Sequence, residues 1–130
     1  MILTKISVLS GNLRKQLKLI YLQDKIVLIL FFLSLFLNLV LYLILAVWLR
    51  PVADPIILHY TVYFGIDYLG AWYNLYTMPA VGTFIGLVNF GLLFFFYRRE
   101  IMVGYFLSGV TLLVQALLLI GGSLLLWINI

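Results

Sequence analysis

The 130-residue sequence contains no cysteine, one histidine and three prolines, and only 9% of it is charged. Without thiols there are no disulfides, no thiolate metal centres, no iron–sulfur clusters and no cysteine nucleophile. A single histidine beside four acidic residues is a poor stock of metal ligands, and no HExxH or DxD spacing groups them. No Ser–His constellation suggests acyl chemistry either. The sequence therefore predicts no catalytic residue, no metal and no cofactor. So few charges also exclude an ordinary water-soluble domain, in which about a quarter of residues are charged.

What is present is apolar: 66% of the chain is hydrophobic and 17% is aromatic. Runs of about 18 or more apolar residues are long enough to cross a bilayer as helices. Three such runs, residues 26–49, 78–97 and 102–128, predict an all-α membrane protein, a bundle of three transmembrane helices forming one membrane domain. Residues 1–25 are an amphipathic segment before the first span, 50–77 a long loop, and 98–101 a turn so short that the second and third spans must be antiparallel neighbours. The first apolar run starts too late and is too long for a cleaved signal peptide, so the first span is expected to be retained.

The net charge of +4 is explained by topology, with no need for a nucleic-acid partner. Lys5, Arg14, Lys15, Lys18 and Lys25 precede the first span, Arg98 and Arg99 lie between the second and third, and Arg50 alone lies in the long loop. The positive-inside rule places the N-terminus and the "YRRE" turn in the cytoplasm and the loop and C-terminus outside, in a multi-pass protein of the cell membrane. In the first segment Leu9, Leu13, Leu17 and Ile20 form an apolar stripe beside Arg14, Lys15 and Lys18, as expected of a helix in the headgroup layer. Ser10 or Asn12 is the expected cap of that helix, with Gly11 as a break before it.

Each span carries one amide: Asn38, Asn89 and Gln115. A primary amide in hydrocarbon must find hydrogen-bond partners, and the similar depth of the three predicts that they meet one another. Small residues recur at four-residue spacing, Gly82 with Gly86 and Gly104 with Ser108, and predict close helix packing, within the hairpin of spans or between copies in a homo-oligomer. At the start of the second span Pro79 is tolerated in the first turn, with Thr77 placed to cap it.

The loop is the anomaly. "IILHYTVYF", Ile56 to Phe64, alternates like a strand, with Ile56, Leu58, Tyr60, Val62 and Phe64 on one face. "GID" reads as a turn, and "YLGAWYNLY" reads as a short interfacial helix bearing Leu69, Trp72, Tyr73 and Tyr76, or as a return strand. His59 and Asp67 are the pair able to hold a proton, with Asp67 expected to close its own turn. His59, Tyr60, Tyr63, Asp67, Trp72 and Tyr73 are the candidate recognition or structural site. Tyrosine and tryptophan suit a membrane interface, and exposed aromatic clusters also mark binding sites.

"LHYTVYFGIDYLGAWY" resembles a motif of small uncharacterised bacterial three-span membrane proteins, in which LHY, a glycine–aspartate turn and GxW follow the first span. More loosely, the order Pro55, His59-Tyr60, Gly65, Asp67, Gly70, Pro79 resembles the loop of a domain-of-unknown-function family found in membrane immunity and signal-transduction proteins. The resemblance implies a compact extracytoplasmic cap on a helical bundle and no particular reaction. The expected role is a non-enzymatic accessory, scaffold or assembly subunit that packs against itself or another membrane protein within the lipid bilayer. The alternatives are a sensor or immunity-type protein whose loop binds a peptide or lipid, and a subunit of a transporter or channel.

Overall fold

The computed structural model describes the backbone of residues 1–130 and the side chains of residues 1–15 and 24–130. Helix α1 (Ile2–Gln23) leads into α2 (Lys25–Trp48), a hairpin of strands β1 (Ile56–Thr61) and β2 (Gly65–Gly70), a 3-10 turn (Trp72–Tyr76), α3 (Thr77–Phe96) and α4 (Ile101–Asn129). The helices α2, α3 and α4 are long and apolar enough to cross a membrane. The molecule is thus mostly helical but not all-α, because the loop folds as a small antiparallel sheet.

The bundle buries polar and small side chains among its leucines. On α2 the buried positions Val27, Phe31, Ser34, Asn38, Leu41 and Leu45 recur every three or four residues, the spacing of a left-handed bundle seam. On α4 the buried face is Gly104, Ser108, Thr111, Gln115, Gly122 and Leu126. Meanwhile Phe32, Phe36, Phe84, Phe95, Phe106, Leu113 and Leu117 are exposed. Small and polar side chains are buried beside a few leucines and phenylalanines, while many of the large apolar ones face outward, which suits a solvent as apolar as leucine.

At mid-span the Asn38 Nδ2 donates to Gln115 Oε1 at 3.0 Å and to the Pro79 carbonyl at 3.0 Å. Gln115 Nε2 donates to the Gly82 carbonyl at 2.7 Å, and Thr83 Oγ1 donates to Asn38 Oδ1 at 2.9 Å. One pair of amides thereby ties α2, α3 and α4 together. Asn89 does not join it. Facing α4 one turn away, it donates to Thr111 Oγ1 at 2.8 Å, because a threonine hydroxyl satisfies it without crossing the bundle. Among the described residues no buried side-chain nitrogen or oxygen lacks a partner.

The glycines are spent inside the chain. A Cβ on Gly82 would lie 2.6 Å from Asn38 Nδ2 and 2.7 Å from Gln115 Oε1, and one on Gly104 would lie 2.8 Å from Tyr97 Cδ2. Gly86 is buried against Gln115, and Ser108 Oγ bonds back to the Gly104 carbonyl at 2.7 Å. The Gly82–Gly86 pair is therefore occupied by α2 and α4 within one molecule and is not a free face for a second copy.

Two apolar clusters close the bundle at its ends. Val27, Phe31, Leu93 and Tyr97 pack near the α3–α4 turn, with Phe31 and Phe90 edge to face at 5.4 Å. At the hairpin end Leu41, Leu45, Leu49, Ile56, Leu75 and Leu126 form the other. The helix starts differ from expectation. Helix α1 runs unbroken through Gly11, since the Ser7 and Ser10 hydroxyls donate back to Thr4 and Ser7 carbonyls and stay within the helix. The side chains of Leu17, Lys18 and Ile20 lie outside the described residues. The cap forms instead at α2, where buried Asp24 accepts from the Val27 amide at 3.3 Å and lies beside the Tyr97 and Tyr105 phenols. Thr77 does not cap α3. Its hydroxyl donates to the Asn74 carbonyl at 2.7 Å, because the 3-10 turn already feeds α3 and leaves no free first turn.

Replacing Gly82 by alanine forces a Cβ into the amide pair, whereas Gly109, with nothing within 4 Å, has room for one. Overpacking of this kind costs about 1–3 kcal/mol. Unfolding titrations in mixed micelles are expected to show that loss for Gly82→Ala and none for Gly109→Ala. Asn38→Leu is expected to remove about 1–2 kcal/mol by stranding its partners, measured in the same titration.

Candidate functional site

The hairpin and the 3-10 turn hold all six loop candidates, but not as one constellation. Antiparallel pairing matches Ile56 with Gly70, Ile57 with Leu69, His59 with Tyr68, Tyr60 with Ile66, and Thr61 with Gly65. Leu58 on β1 and Asp67 on β2 are skipped, so two bulges of opposite sense cancel and the register is the same at base and tip. Ile56 and Leu58 both pack against the helix-end cluster, as the alternation expected, although the pairing skips Leu58; Tyr60, Val62 and Phe64 are exposed.

The turn also sits earlier than "GID" suggests. Val62, Tyr63 and Phe64 form it, and Gly65 opens β2 with φ +73°, a conformation that glycine alone adopts freely. Asp67 therefore lies within β2 and does not close a turn. Thr61 does that work, its Oγ1 accepting from the Phe64 amide at 3.2 Å. The same hydroxyl donates to Asp67 Oδ2 at 3.3 Å. His59 Nδ1 lies 3.3 Å from that oxygen, with side-chain exposures of 61% for His59 and 35% for Asp67. A pair this wet contributes at most about 1 kcal/mol; its effect is to set the imidazole's orientation.

The other candidates divide. Trp72 packs into the helix-end cluster and meets Tyr73 edge to face at 5.8 Å, with Tyr73 itself exposed. Tyr60 is exposed beside Ile66. At the tip, Val62, Tyr63 and Phe64 are 87%, 92% and 84% exposed. Three successive apolar side chains in the open are unusual for a surface turn. Among the described residues no group of three or more His, Asp or Glu is placed to hold a metal ion.

A residue that sequence reasoning passed over anchors this structure. Asn129, at the end of α4, accepts from the Ile57 amide through Oδ1 at 2.8 Å and donates to the Ile57 carbonyl through Nδ2 at 2.8 Å. Its Nδ2 also donates to the Leu125 carbonyl at 2.8 Å. The carboxamide thus mimics a neighbouring strand and fixes the outer edge of β1 to the bundle. A two-stranded ribbon is marginal by itself, so this clamp and the burial of Ile56 are what make the hairpin rigid. The only sequence signal was a polar residue at the foot of an apolar helix.

Asn129→Leu is expected to expose the Ile57 amide to exchange, raising hydrogen–deuterium exchange across Ile56–Thr61 at least tenfold while α2 and α4 at mid-span stay protected. Gly65→Ala, straining a positive-φ residue by about 1–2 kcal/mol, is expected to loosen the turn without affecting the base. No family model, no curated protein and no solved structure matches the chain.

Proposed function

We propose that this chain is a multi-pass integral membrane protein, non-enzymatic, that serves as an accessory or assembly subunit and presents its β-hairpin to a partner outside the cytoplasm. The observation that carries this reading is the contrast within the hairpin: a base clamped by Asn129 and Ile56, and a tip of Val62, Tyr63 and Phe64 that is almost wholly exposed. A rigid mount loses little conformational freedom on docking, and aromatic side chains are the usual anchors of interfaces.

Orientation follows from charge. Seven of the eight Lys and Arg residues fall at or before the first residue of α2 or in the α3–α4 turn, and Arg50 alone lies at the hairpin end. That bias favours a cytoplasmic N-terminus, with the hairpin and C-terminus across the membrane. Lipid contacts the outward Phe and Leu faces. Because Gly82 and Gly86 are used inside the molecule, the partner contact is assigned to the hairpin, whether the partner is another membrane protein or a second copy.

Two measurements test this. In this cysteine-free chain, Val62→Cys is expected to react with an impermeant maleimide on intact cells; reaction only after permeabilisation would reverse the orientation. A photocrosslinking residue at position 63 is expected to give one discrete adduct in native membranes that Phe64→Ser abolishes with abundance unchanged. A smear of lipid adducts alone would reduce the tip to an anchor.

A further inference from the structure

Beneath the hairpin lies a hollow of roughly 490 Å³, lined by Leu58, His59, Tyr68, Asn74, Leu75, Thr77 and Met78. Its floor is apolar, as Leu58, Leu75 and Met78 belong to the helix-end cluster. Its rim is polar. His59 and Tyr68 arrive as cross-strand partners, while Asn74 and Thr77 come from the 3-10 turn and the start of α3. Gly70 is part of the construction: a Cβ there would collide with Leu58 and lie 3.1 Å from Asn74 Nδ2.

The chemistry of the rim is that of directional hydrogen bonding without net positive charge. With His59 Nδ1 turned to Asp67, Nε2 is the ring nitrogen left for a ligand. Tyr68 offers a hydroxyl, and Asn74 a carboxamide that both donates and accepts. Thr77 has spent its hydroxyl hydrogen on the Asn74 carbonyl and remains an acceptor. Neither lysine nor arginine lines the hollow, and the Asp67 carboxylate stands beside His59, so an anionic headgroup would meet a like charge with no basic side chain to hold it. A quaternary ammonium would use none of the rim's directional groups and would find a single tyrosine ring among the lining residues.

We propose that this hollow binds the uncharged, hydroxyl-bearing headgroup of a glycolipid in the outer leaflet, with the lipid's glycerol region over Leu58, Leu75 and Met78. Hydroxyls satisfy a ring nitrogen, a carboxamide, a phenol and a threonine oxygen together, and the sugar's apolar face lies on Tyr68. Pockets of a few hundred Å³ with an apolar floor and a few convergent polar groups are the common form of ligand sites. The inference rests on the membrane embedding and orientation proposed above and is independent of recognition at the tip.

The test is lipid retention by native mass spectrometry of the full chain, released from nanodiscs holding equal parts of a monoglucosyl diacylglycerol, phosphatidylglycerol and phosphatidylcholine. The glucolipid is expected to be retained at least tenfold over either phospholipid. Asn74→Leu with Tyr68→Phe is expected to abolish that preference, since two hydrogen bonds at about 1 kcal/mol each correspond to about a tenfold to thirtyfold loss. Gly70→Ala, which crowds the hollow, is expected to weaken retention as well, and unchanged hydrogen exchange at Ile57 is the check that each variant keeps its hairpin. Phe64→Ser is expected to leave lipid preference intact, which separates this site from the tip. Equal retention of the three lipids, preference for either phospholipid, or preference unchanged in the Asn74/Tyr68 variant would overturn the proposal.

Discussion

A carboxamide buried among helices long and apolar enough to cross a membrane must find its partners within the protein, and the pair formed by Asn38 and Gln115 is where this fold meets that constraint. Their mutual bond, with the carbonyls of Pro79 and Gly82 and the Thr83 hydroxyl, can form only in one register of three helices. Apolar contacts outside that point would tolerate sliding, because leucine against leucine and leucine against lipid are nearly equivalent. The amides remove the tolerance. Gly82 supplies the close approach that makes the bonds short, and the leucine cluster at the hairpin end and the Phe31 cluster at the other follow from the register so set.

The larger elements were legible because their signal is long and periodic. Three apolar runs became three helices with each boundary moved by one residue, and the short "RRE" link left α3 and α4 no arrangement but antiparallel. The similar depth expected for Asn89 did not hold. Asn38 and Gln115 meet beside Pro79, Gly82 and Thr83, whereas Asn89, two turns further along α3, lies level with Thr111 and one turn of α4 away from Gln115. Ser10 misled likewise, since a hydroxyl that can cap a helix can as easily fold back on one.

The candidate site was legible in its residues and not in its geometry. The alternation of "IILHYTVYF" did indicate a strand, but a single skipped residue on each strand is invisible to a period of two. Gly65 announced a turn, yet a glycine with positive φ serves as well at the start of a strand as in the turn before it. Asn129 carried no pattern at all: its meaning depends on the Ile57 backbone far away in sequence. Long-range side-chain-to-backbone pairs of this sort are settled by tertiary packing, which local periodicity does not encode.

Gln115 and Asn129 stand two heptads apart on α4, so in a left-handed bundle both belong to the same stripe. One rod thus holds the register of the helices with one amide and the posture of the sheet with the other. Slippage of α4 by a single turn would break both sets of bonds together, leaving no intermediate in which the helices are misaligned and the hairpin still stands upright. The posture of the hairpin is therefore coupled to the register of the bundle beneath it.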